Sequence, residues 1–471
     1  MDRLLEDVEV VSSRGRLSAV EVASVEYDSR HVGKGALFCC IRGARTDGHD
    51  YAADAVARGA SALLVQRELE LDVAQALVPH GSARKAMARA AAALQGHPTR
   101  SLLTVGVTGT NGKTTVTHLL AAIFEAQGTP TTVIGTLGGA RTTPEAPVLQ
   151  RLLAQARDSG QRAVAMEVSS HALTQDRVEG IRFDAAVFTN LGHDHLDHHG
   201  TMEEYFAAKA SLFDPSRALR GVVRVDDPWG RRLADQAAIE IAAYSMADAT
   251  DVESAPRRTS FRWRDHHVSL ELAGLFQVPN ALAAATTASV LGVPDETVVA
   301  GLSSASPVPG RFEVLDVPVP FTIVVDYAHT PEGLELALES ARLIAGRHRV
   351  LVVFGAGGER DREKRPAMGG AAARGADVVV VTSDNPRGED PGSIIEAVVS
   401  QMPAGAEALR ETDRGRAIER AIELARPGDV VLVAGKGHET DIEVGGRRIA
   451  FDDRVAARAA AKRLGSRGSA E

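Results

Sequence analysis

The stretch that decides the fold is Val105-Gly106-Val107-Thr108-Gly109-Thr110-Asn111-Gly112-Lys113-Thr114-Thr115. It begins as a short apolar strand, turns on glycines and enters a helical segment. Glycines let the backbone curl so that its N–H groups face phosphate oxygens, and the N-terminus of the following helix adds partial positive charge. Lys113 would neutralise the β- and γ-phosphates of a nucleotide, and the Thr114 hydroxyl would ligate Mg²⁺. The stretch therefore predicts a nucleotide phosphate loop that comprises Gly109, Thr110, Asn111, Gly112, Lys113, Thr114 and Thr115.

The spacing of this loop departs from the usual G-x-x-x-x-G-K-[ST] pattern, because Val107 stands where the first glycine belongs. The alternative is a glycine-rich turn before a helix that binds nothing. A short strand directly before Gly-Lys-Thr-Thr favours the phosphate loop.

The whole chain has the composition of a soluble globular enzyme. Its 471 residues suit two to four domains, and a formal net charge of −9 argues against nucleic acid or an anionic membrane as partner. Cys39 and Cys40 are the only cysteines, so a reducing compartment fits. No signal peptide and no apolar run of membrane-spanning length is visible. We expect a cytoplasmic protein that is not inserted in a membrane, and a monomer.

Short apolar segments alternate with helical ones along most of the chain, which indicates an α/β fold with mostly parallel sheets. Breakers near Pro98 and Pro309 predict three domains, at 1–98, 99–309 and 310–464, with a disordered tail at 465–471. The predicted strands are Gly35–Ile41, Ala62–Val65, Leu102–Val107, Ala163–Val168, Ala185–Thr189, Gly221–Val225, Ile323–Val325, Val350–Phe354, Val378–Val381 and Val430–Val433.

Metal-ligating side chains follow two of these strands. Glu167 ends one, and a carboxylate at the carboxyl edge of a sheet beside a phosphate loop suits Mg²⁺. A histidine-rich stretch, residues 192–199, follows another. Its His193-x-His195-x-Asp197-His198 pattern also fits a binuclear zinc hydrolase, and a solvated turn is the third alternative. The zinc alternative leaves the phosphate loop unexplained.

The shortened loop Gly-Thr-Asn-Gly-Lys-Thr resembles that of the Mur ligase superfamily, which includes the folylpolyglutamate synthetases. Further matches follow in family order: Tyr27-Asp28-Ser29-Arg30, the Asp194–Asp197 segment Asp-His-Leu-Asp, the helix around Lys209, Asn280-Ala281-Leu282-Ala283-Ala284, Gly310-Arg311-Phe312-Glu313, Asp326-Tyr327-Ala328-His329-Thr330-Pro331 and Asp384-Asn385-Pro386-Arg387. This resemblance implies three domains: a UDP-sugar-binding domain, a central ATPase domain and a Rossmann-like domain that binds an amino acid.

The resemblance also implies the metal and nucleotide chemistry. Glu167 and His195 would bind Mg²⁺ with Thr114, and Lys209, carbamylated by CO₂, would help to hold a second Mg²⁺. A lysine on a helix is otherwise usually a solvated charge. Lys113, Lys209 and His329 would be catalytic, and ATP would further contact Asn280, Arg311 and Asp326. Gln277 departs from the asparagine that the family often has there.

Two substrate sites are implied as well. The UDP-sugar dipeptide would bind at Ser29, Asp47, Gly48, His49, Thr142, Thr143, Ser169, Gln175 and Arg177. Diaminopimelate would bind at Arg360, Asp384, Asn385, Pro386, Arg387, Gly435 and Glu439. A guanidinium such as that of Arg387 can pair with the far carboxylate of diaminopimelate, which lysine lacks.

These expectations describe an ADP-forming ligase of peptidoglycan precursor synthesis. It would join diaminopimelate to the D-Glu γ-carboxylate of UDP-MurNAc-L-Ala-D-Glu through an acyl-phosphate. Two alternatives remain: a sister ligase of the superfamily, or a nucleotide-binding regulatory protein without turnover.

Overall fold

The computed structural model describes residues 1–43, 46–139, 141–403 and 406–468, with side chains to Gly465. Three sheet-bearing units follow one another along the chain. In the first unit, a five-stranded sheet has the order β1-β5-β4-β3-β2 and is parallel except for β1. Its elements are β1 Ser12–Arg14, β2 Ser24–Glu26, β3 Ala36–Cys39, α1 Ala52–Ala57, β4 Ala60–Val65, β5 Ala74–Leu77 and α2 Ala83–Leu94.

The second unit contains a six-stranded parallel sheet with the order β11-β10-β9-β6-β8-β7. Its elements are β6 Leu103–Thr108, α3 Lys113–Ala126, β7 Thr131–Ile134, α4 Ala146–Asp158, β8 Ala163–Glu167, α5 Ser170–Thr174, β9 Ala185–Phe188, α6 Leu196–His199, α7 Met202–Ala210, β10 Arg220–Arg224, α8 Pro228–Gln236 and β11 Glu240–Tyr244. An antiparallel sheet and two helices complete it: β12 Ala249–Ala255, β13 Arg258–Trp263, β14 His266–Leu270, α9 Gln277–Val290 and α10 Asp295–Ser304.

The third unit contains a six-stranded sheet with the order β15-β16-β20-β17-β18-β19, in which β15 alone is antiparallel. Its elements, with a terminal hairpin, are β15 Glu313–Val314, β16 Thr322–Asp326, α11 Pro331–Ala345, β17 Val350–Phe354, α12 Lys364–Gly375, β18 Val378–Thr382, α13 Pro391–Val399, β19 Ala408–Glu411, α14 Arg414–Leu424, β20 Val430–Ala434, β21 Asp441–Val444, β22 Arg447–Ala450 and α15 Asp453–Gly468.

The central strands of both six-stranded sheets are buried on both faces, as strands covered by helices on each side must be. Val105 and Val107 of β6 pack with Leu120 and Ile123 of α3 in one core. In the third unit, Val352 of β17 lies in the core that faces α11 and α12. These layers hold the carboxyl ends of the parallel strands, where the loops emerge, in fixed positions.

The predicted α/β class is confirmed, and each predicted strand is present with ends shifted by no more than two residues. The antiparallel sheet β12–β14, the hairpin β21–β22 and the strands β1, β2, β5, β7, β11, β15 and β19 were not predicted. α15 continues to Gly468, past Gly465, where the disordered tail was predicted to begin. Residues 469–471 lie outside the described part of the chain. Within the described residues, no helix has both the length and the apolarity needed to cross a membrane.

Candidate functional site

The predicted phosphate loop connects β6, a central strand of its sheet, to α3. Gly112 caps α3 with φ +89°, and a side chain there would also collide with the Asn280 carboxamide, so both conformation and space require glycine. The Lys113 ammonium donates to the carbonyl oxygens of Gly109 and Thr110, each at 2.9 Å. The loop thus has the strand–turn–helix context that a phosphate loop needs.

Glu167 reaches the same place because β8 lies beside β6 and runs parallel to it. Its Oε1 atom accepts from the Thr114 hydroxyl at 3.0 Å and from the Thr136 N–H at 2.8 Å. The Arg311 guanidinium donates to the same Thr114 hydroxyl at 2.8 Å. The adjacent Glu167 carboxylate and Thr114 hydroxyl supply oxygen ligands of the kind that Mg²⁺ prefers, so these residues fit the predicted cation.

Lys209, on α7, is 1% exposed. Its ammonium donates to the Gly109 carbonyl oxygen at 2.8 Å, the same oxygen that Lys113 uses, and lies 4.6 Å from the centroid of the Tyr205 ring. Burial lowers the pKa of Lys209 well below its ordinary value, and the nearby Lys113 cation lowers it further. Both effects favour the neutral amine over the ammonium.

The histidine-rich loop follows β9, on the other side of β6. His195 adopts φ +56°, a left-handed conformation that is uncommon outside glycine and costs backbone energy. The carboxylate of Asp194 accepts from the His195 N–H at 2.9 Å and lies 3.3 Å from the His195 ring. Burial lowers the pKa of His195, so its imidazole is neutral and can act as a ligand.

The other histidines of the loop face one another. His198 stacks on His171 at 4.1 Å between ring centroids and bonds Thr174 at 3.1 Å, and His199 bonds Ser170 at 2.9 Å. Within residues 1–43, 46–139, 141–403 and 406–468, no three His, Cys, Asp or Glu side chains are grouped to hold a metal. The binuclear zinc alternative needs such a group and has no support.

A cleft between the second and third units brings the predicted nucleotide residues together. Arg311 lies over the Tyr327 ring at 4.2 Å, and the buried Asp326 accepts from the N–H groups of Phe312 and Ala328. Asn280 lies inside α9 rather than at its cap, and its amide donates to Gln277 at 3.0 Å. The predicted residues that line this cleft are Asn111, Gly112, Thr115, Asn280, Arg311 and Asp326.

Residues predicted for the dipeptide form one hydrogen-bonded group beside Glu167. The Thr143 hydroxyl donates to the Glu167 carbonyl oxygen at 2.8 Å and accepts from the Ser169 N–H at 3.0 Å. Arg177 donates to the Thr143 carbonyl oxygen at 2.9 Å and to the Gln175 carboxamide at 2.7 Å. The Thr136 hydroxyl donates to the Thr142 hydroxyl at 3.2 Å.

Residues predicted for the UDP-sugar lie in the first unit. Asp28 caps the short turn that starts at the buried Ser29, and Gly48 packs against the backbone of Ile41. His49 uses both ring nitrogens internally: Nε2 accepts from the Gln66 N–H at 3.0 Å, so Nδ1 donates to Asp47 at 2.6 Å. His49 therefore fixes the loop rather than presenting a free imidazole.

Residues predicted for the amine lie on three loops at the carboxyl ends of β17, β18 and β20, which are neighbours in the parallel sheet. The Asn385 carboxamide donates to Glu439 at 3.0 Å and accepts from the buried Lys436 at 3.2 Å. The Lys436 ammonium also lies 2.6 Å from Glu439. The cavity between the loops is lined by Arg360, Asp384, Asn385, Arg387, Gly435 and Glu439.

Arg387 sits at the mouth of this cavity in a left-handed conformation, φ +53°. Its backbone bridges to Val444 of the hairpin, and its guanidinium donates to the Gly358 carbonyl oxygen at 2.5 Å. Glu389 joins the loop of Arg387 to the loop of Arg360. Its carboxylate accepts two hydrogen bonds from Arg365, at 3.0 and 2.9 Å, and one from the Glu359 N–H. The loops that carry Arg360 and Arg387 are thereby locked together.

Family models match the chain in three consecutive stretches. These are the Mur ligase family catalytic domain over residues 21–102, the Mur ligase middle domain over 107–288 and the Mur ligase glutamate ligase domain over 310–437. A UDP-N-acetylmuramoyl-L-alanyl-D-glutamate–2,6-diaminopimelate ligase from Geobacillus kaustophilus is 46% identical to this chain over 94% of the chain and 96% of that protein. This chain belongs to the Mur ligase family.

Other relatives agree with this assignment. A similarly named ligase of Gloeobacter violaceus is 43% identical over 96% of both chains. A solved structure with the same ligase name is 32% identical, has a TM-score of 0.67 and covers 98% of this chain and 99% of its own. The MurF ligase of Thermotoga maritima in complex with ADP, at 22% identity and a TM-score of 0.68, covers 96% of this chain and 100% of its own, and shares the fold.

In this Mur ligase the structure adds site residues that sequence reasoning missed. Asp194 faces both His195 and His329, Lys364 lies beside Asp194, Lys436 neutralises Glu439, and Glu389 braces the acceptor loops. Asp194 could have been predicted from the sequence, since it begins the Asp-His-Leu-Asp segment. Nothing in the sequence indicated Lys364, because a lysine in the first turn of a helix is usually solvated.

Proposed function

We propose that this Mur ligase joins diaminopimelate to the D-Glu γ-carboxylate of UDP-MurNAc-L-Ala-D-Glu with hydrolysis of ATP to ADP and phosphate. The observation that supports this proposal best is that two cavities lie side by side and share lining residues. One contains the phosphate loop, Glu167 and Ser169, and the other contains the acceptor residues Arg360 and Arg387. Asp194, His195, Tyr327 and His329 line both cavities, so an activated carboxylate and an amine can meet there.

In the first step, a carboxylate oxygen forms a bond to the γ-phosphorus of ATP while the bond to the β-phosphate oxygen breaks and ADP leaves. Lys113 and Arg311, which both bond to the phosphate loop, would supply positive charge to the transferring phosphoryl group. Bound Mg²⁺ would neutralise phosphate charge. Thr114, Glu167 and His195 would hold it, with the Arg311 guanidinium moving from Thr114 to the nucleotide.

Lys209 is proposed to carry a carbamate. Its ammonium shares one carbonyl oxygen with Lys113, so two cations are held close together in a buried place. Carbamylation would remove one of these positive charges and add two oxygen donors for a second Mg²⁺. Burial lowers the pKa of Lys209 most and the Lys113 cation lowers it further, and carbamylation would remove that like-charge repulsion.

In the second step, the neutral amine attacks the acyl-phosphate carbonyl carbon, phosphate departs and the nitrogen loses a proton. Overall, carboxylate, ATP and an ammonium ion give an amide, ADP, phosphate and one proton. Arg387 would pair with the far carboxylate of diaminopimelate, and Glu439 with its distal ammonium. Thr142, Thr143, Gln175 and Arg177 would hold the dipeptide beside Glu167.

We propose that the protein acts as a monomer. The two cysteines are buried and free, which agrees with work in the reducing cytoplasm. The reaction would serve peptidoglycan precursor synthesis, and through it cell shape and division.

The test is phosphate release by purified protein with ATP, Mg²⁺ and UDP-MurNAc-L-Ala-D-Glu across a panel of amines: meso- and LL-diaminopimelate, lysine and ornithine. We expect release that depends on diaminopimelate. Arg387→Gln should raise the KM for diaminopimelate about tenfold to a hundredfold, the loss of a charged hydrogen bond. Arg447→Gln, the same change on an exposed residue of β22, is the matched control. Preference for lysine would refute the role of Arg387.

A further inference from the structure

Lys364 occupies an unusual position in the second cavity. It is the first residue of α12 and is 6% exposed. Its ammonium lies 3.9 Å from the Asp194 carboxylate, beyond hydrogen-bond distance, and among the described residues it donates no hydrogen bond. By contrast, Lys113 and Lys209 both donate to loop carbonyls. A nearly buried ammonium with its donors unused lines a cavity where an anionic group can bind it.

That ammonium lines the amine-side cavity and lies beside Asp194, a residue that both cavities share. Asp194, its nearest partner, also lies 3.8 Å from His329, and both residues line the phosphate-side cavity as well as the amine-side one. Asp194 belongs to the loop after β9, whereas Lys364 and His329 belong to the third unit. The ammonium is therefore placed where the acyl-phosphate must present its carbonyl carbon to the amine.

The chemistry at this junction creates negative charge. When the amine nitrogen bonds to the carbonyl carbon, the C=O π electrons move onto the carbonyl oxygen. The C–O bond to the phosphoryl group then breaks, phosphate leaves with its electron pair, and the nitrogen gives its proton to water. Preorganised cations at such a position stabilise the transition state because they need no reorganisation as charge develops.

We propose that Lys364 is a catalytic residue of this ligase, whose ammonium binds the acyl-phosphate oxygens and stabilises the charge that develops during amine attack. This inference rests on the proposed function. The rival explanation is that Lys364 only pairs with Asp194 and holds the second and third units together. A further rival is that it binds a carboxylate of diaminopimelate.

The experiment compares Lys364→Gln, Lys364→Arg and Lys364→Met with Lys462→Gln, which makes the same change on an exposed lysine of α15. Each variant is assayed with two nucleophiles. One is diaminopimelate, and the other is hydroxylamine, a small neutral amine that converts an acyl-phosphate to a hydroxamate without using the acceptor loops. The hydroxamate is then measured as its coloured ferric complex. The melting temperature and the KM for ATP report folding and nucleotide binding.

We expect Lys364→Gln to lower kcat by about 10²–10³ with both nucleophiles, the loss typical of one oxyanion donor. The KM for ATP should stay within about threefold of wild type. Lys364→Arg should recover part of kcat because it keeps the charge, and Lys462→Gln should behave as wild type. Lys364→Met keeps the apolar stem and replaces the glutamine variant if that one fails to fold.

Three outcomes overturn the inference. Loss with diaminopimelate alone, through KM, makes Lys364 a substrate ligand. Equal loss in Lys364→Arg, Lys364→Met and Asp194→Asn, with a lowered melting temperature, makes it a structural pair. A wild-type kcat in Lys364→Gln would show that Lys364 has no catalytic role. Failure of the proposed function is distinct, because then the wild-type protein itself shows no diaminopimelate-dependent phosphate release.

Discussion

The ion pair of Arg414 and Asp453 is the support behind the acceptor loops. Both side chains are at most 1% exposed, and the guanidinium donates to the two carboxylate oxygens at 2.7 Å each. Arg414 also donates to the carbonyl oxygens of Ser383 and Ala434, the residues that directly precede Asp384 and Gly435. The pair thus fixes the ends of β18 and β20, where two acceptor loops begin.

Asp453→Asn keeps the shape of this side chain and removes its charge. Breaking a buried pair on one side costs about 3–5 kcal/mol, and we expect about 3 kcal/mol because asparagine retains one acceptor oxygen. That amounts to about a hundredfold fall in the protection of neighbouring amides against hydrogen exchange, at about 1.4 kcal/mol per factor of ten. The KM for diaminopimelate should rise while the KM for ATP stays unchanged.

Hydrogen exchange followed by mass spectrometry is the suitable assay. Both tryptophans, Trp229 and Trp263, lie in the second unit, so their fluorescence does not report on the third. Peptides that cover β18 and β20 should exchange faster, and those that cover β6 should not. Glu396→Gln, which breaks an exposed pair with Arg410 in the same unit, is the control and should change little. Unchanged protection of β18 and β20 in a folded Asp453→Asn protein would refute the argument.

Three other predictions concern the site. Lys209→Ala should abolish phosphate release, and an added short carboxylate should restore part of it by replacing the carbamate oxygens; no rescue counts against the carbamate. Gly112→Ala should raise the KM for ATP at least tenfold, about 1.4 kcal/mol, because its methyl group meets Asn280 at a left-handed φ; Gly33→Ala, where an added methyl meets nothing within 4 Å, is the control. Glu389→Gln should destabilise the third unit in urea titrations. Arg365 lowers the pKa of Glu389 to about 2, so its contribution is full above the unfolded pKa of about 4.3 and is lost as pH falls toward 2. A wild-type advantage that grows on acidification contradicts this.

The sequence by itself determined ten of the strands, the phosphate loop and the alternation of an α/β fold. These depend on local patterns: apolar runs of three to seven residues, glycines that allow a left-handed turn, and lysine at the start of a helix. Because the carboxyl ends of parallel strands meet at one edge, the same patterns placed Glu167 and the histidine-rich loop near Lys113. The family resemblance then predicted residues for each substrate site.

The tertiary structure alone decided the electrostatics and the supports of the site. Lys209 and Lys113 are 96 residues apart by their numbers, yet share the Gly109 carbonyl oxygen. Burial lowers the pKa of Lys209, and the Lys113 cation lowers it further. His49 looked like a ligand but uses both ring nitrogens inside its own unit. Lys364 begins a helix, where a lysine is usually solvated, but it is nearly buried and lines the amine-side cavity. The protonation state of a side chain, its burial and its hydrogen-bond partners depend on what packs against it from distant parts of the chain. Local spacing in the sequence does not encode those contacts.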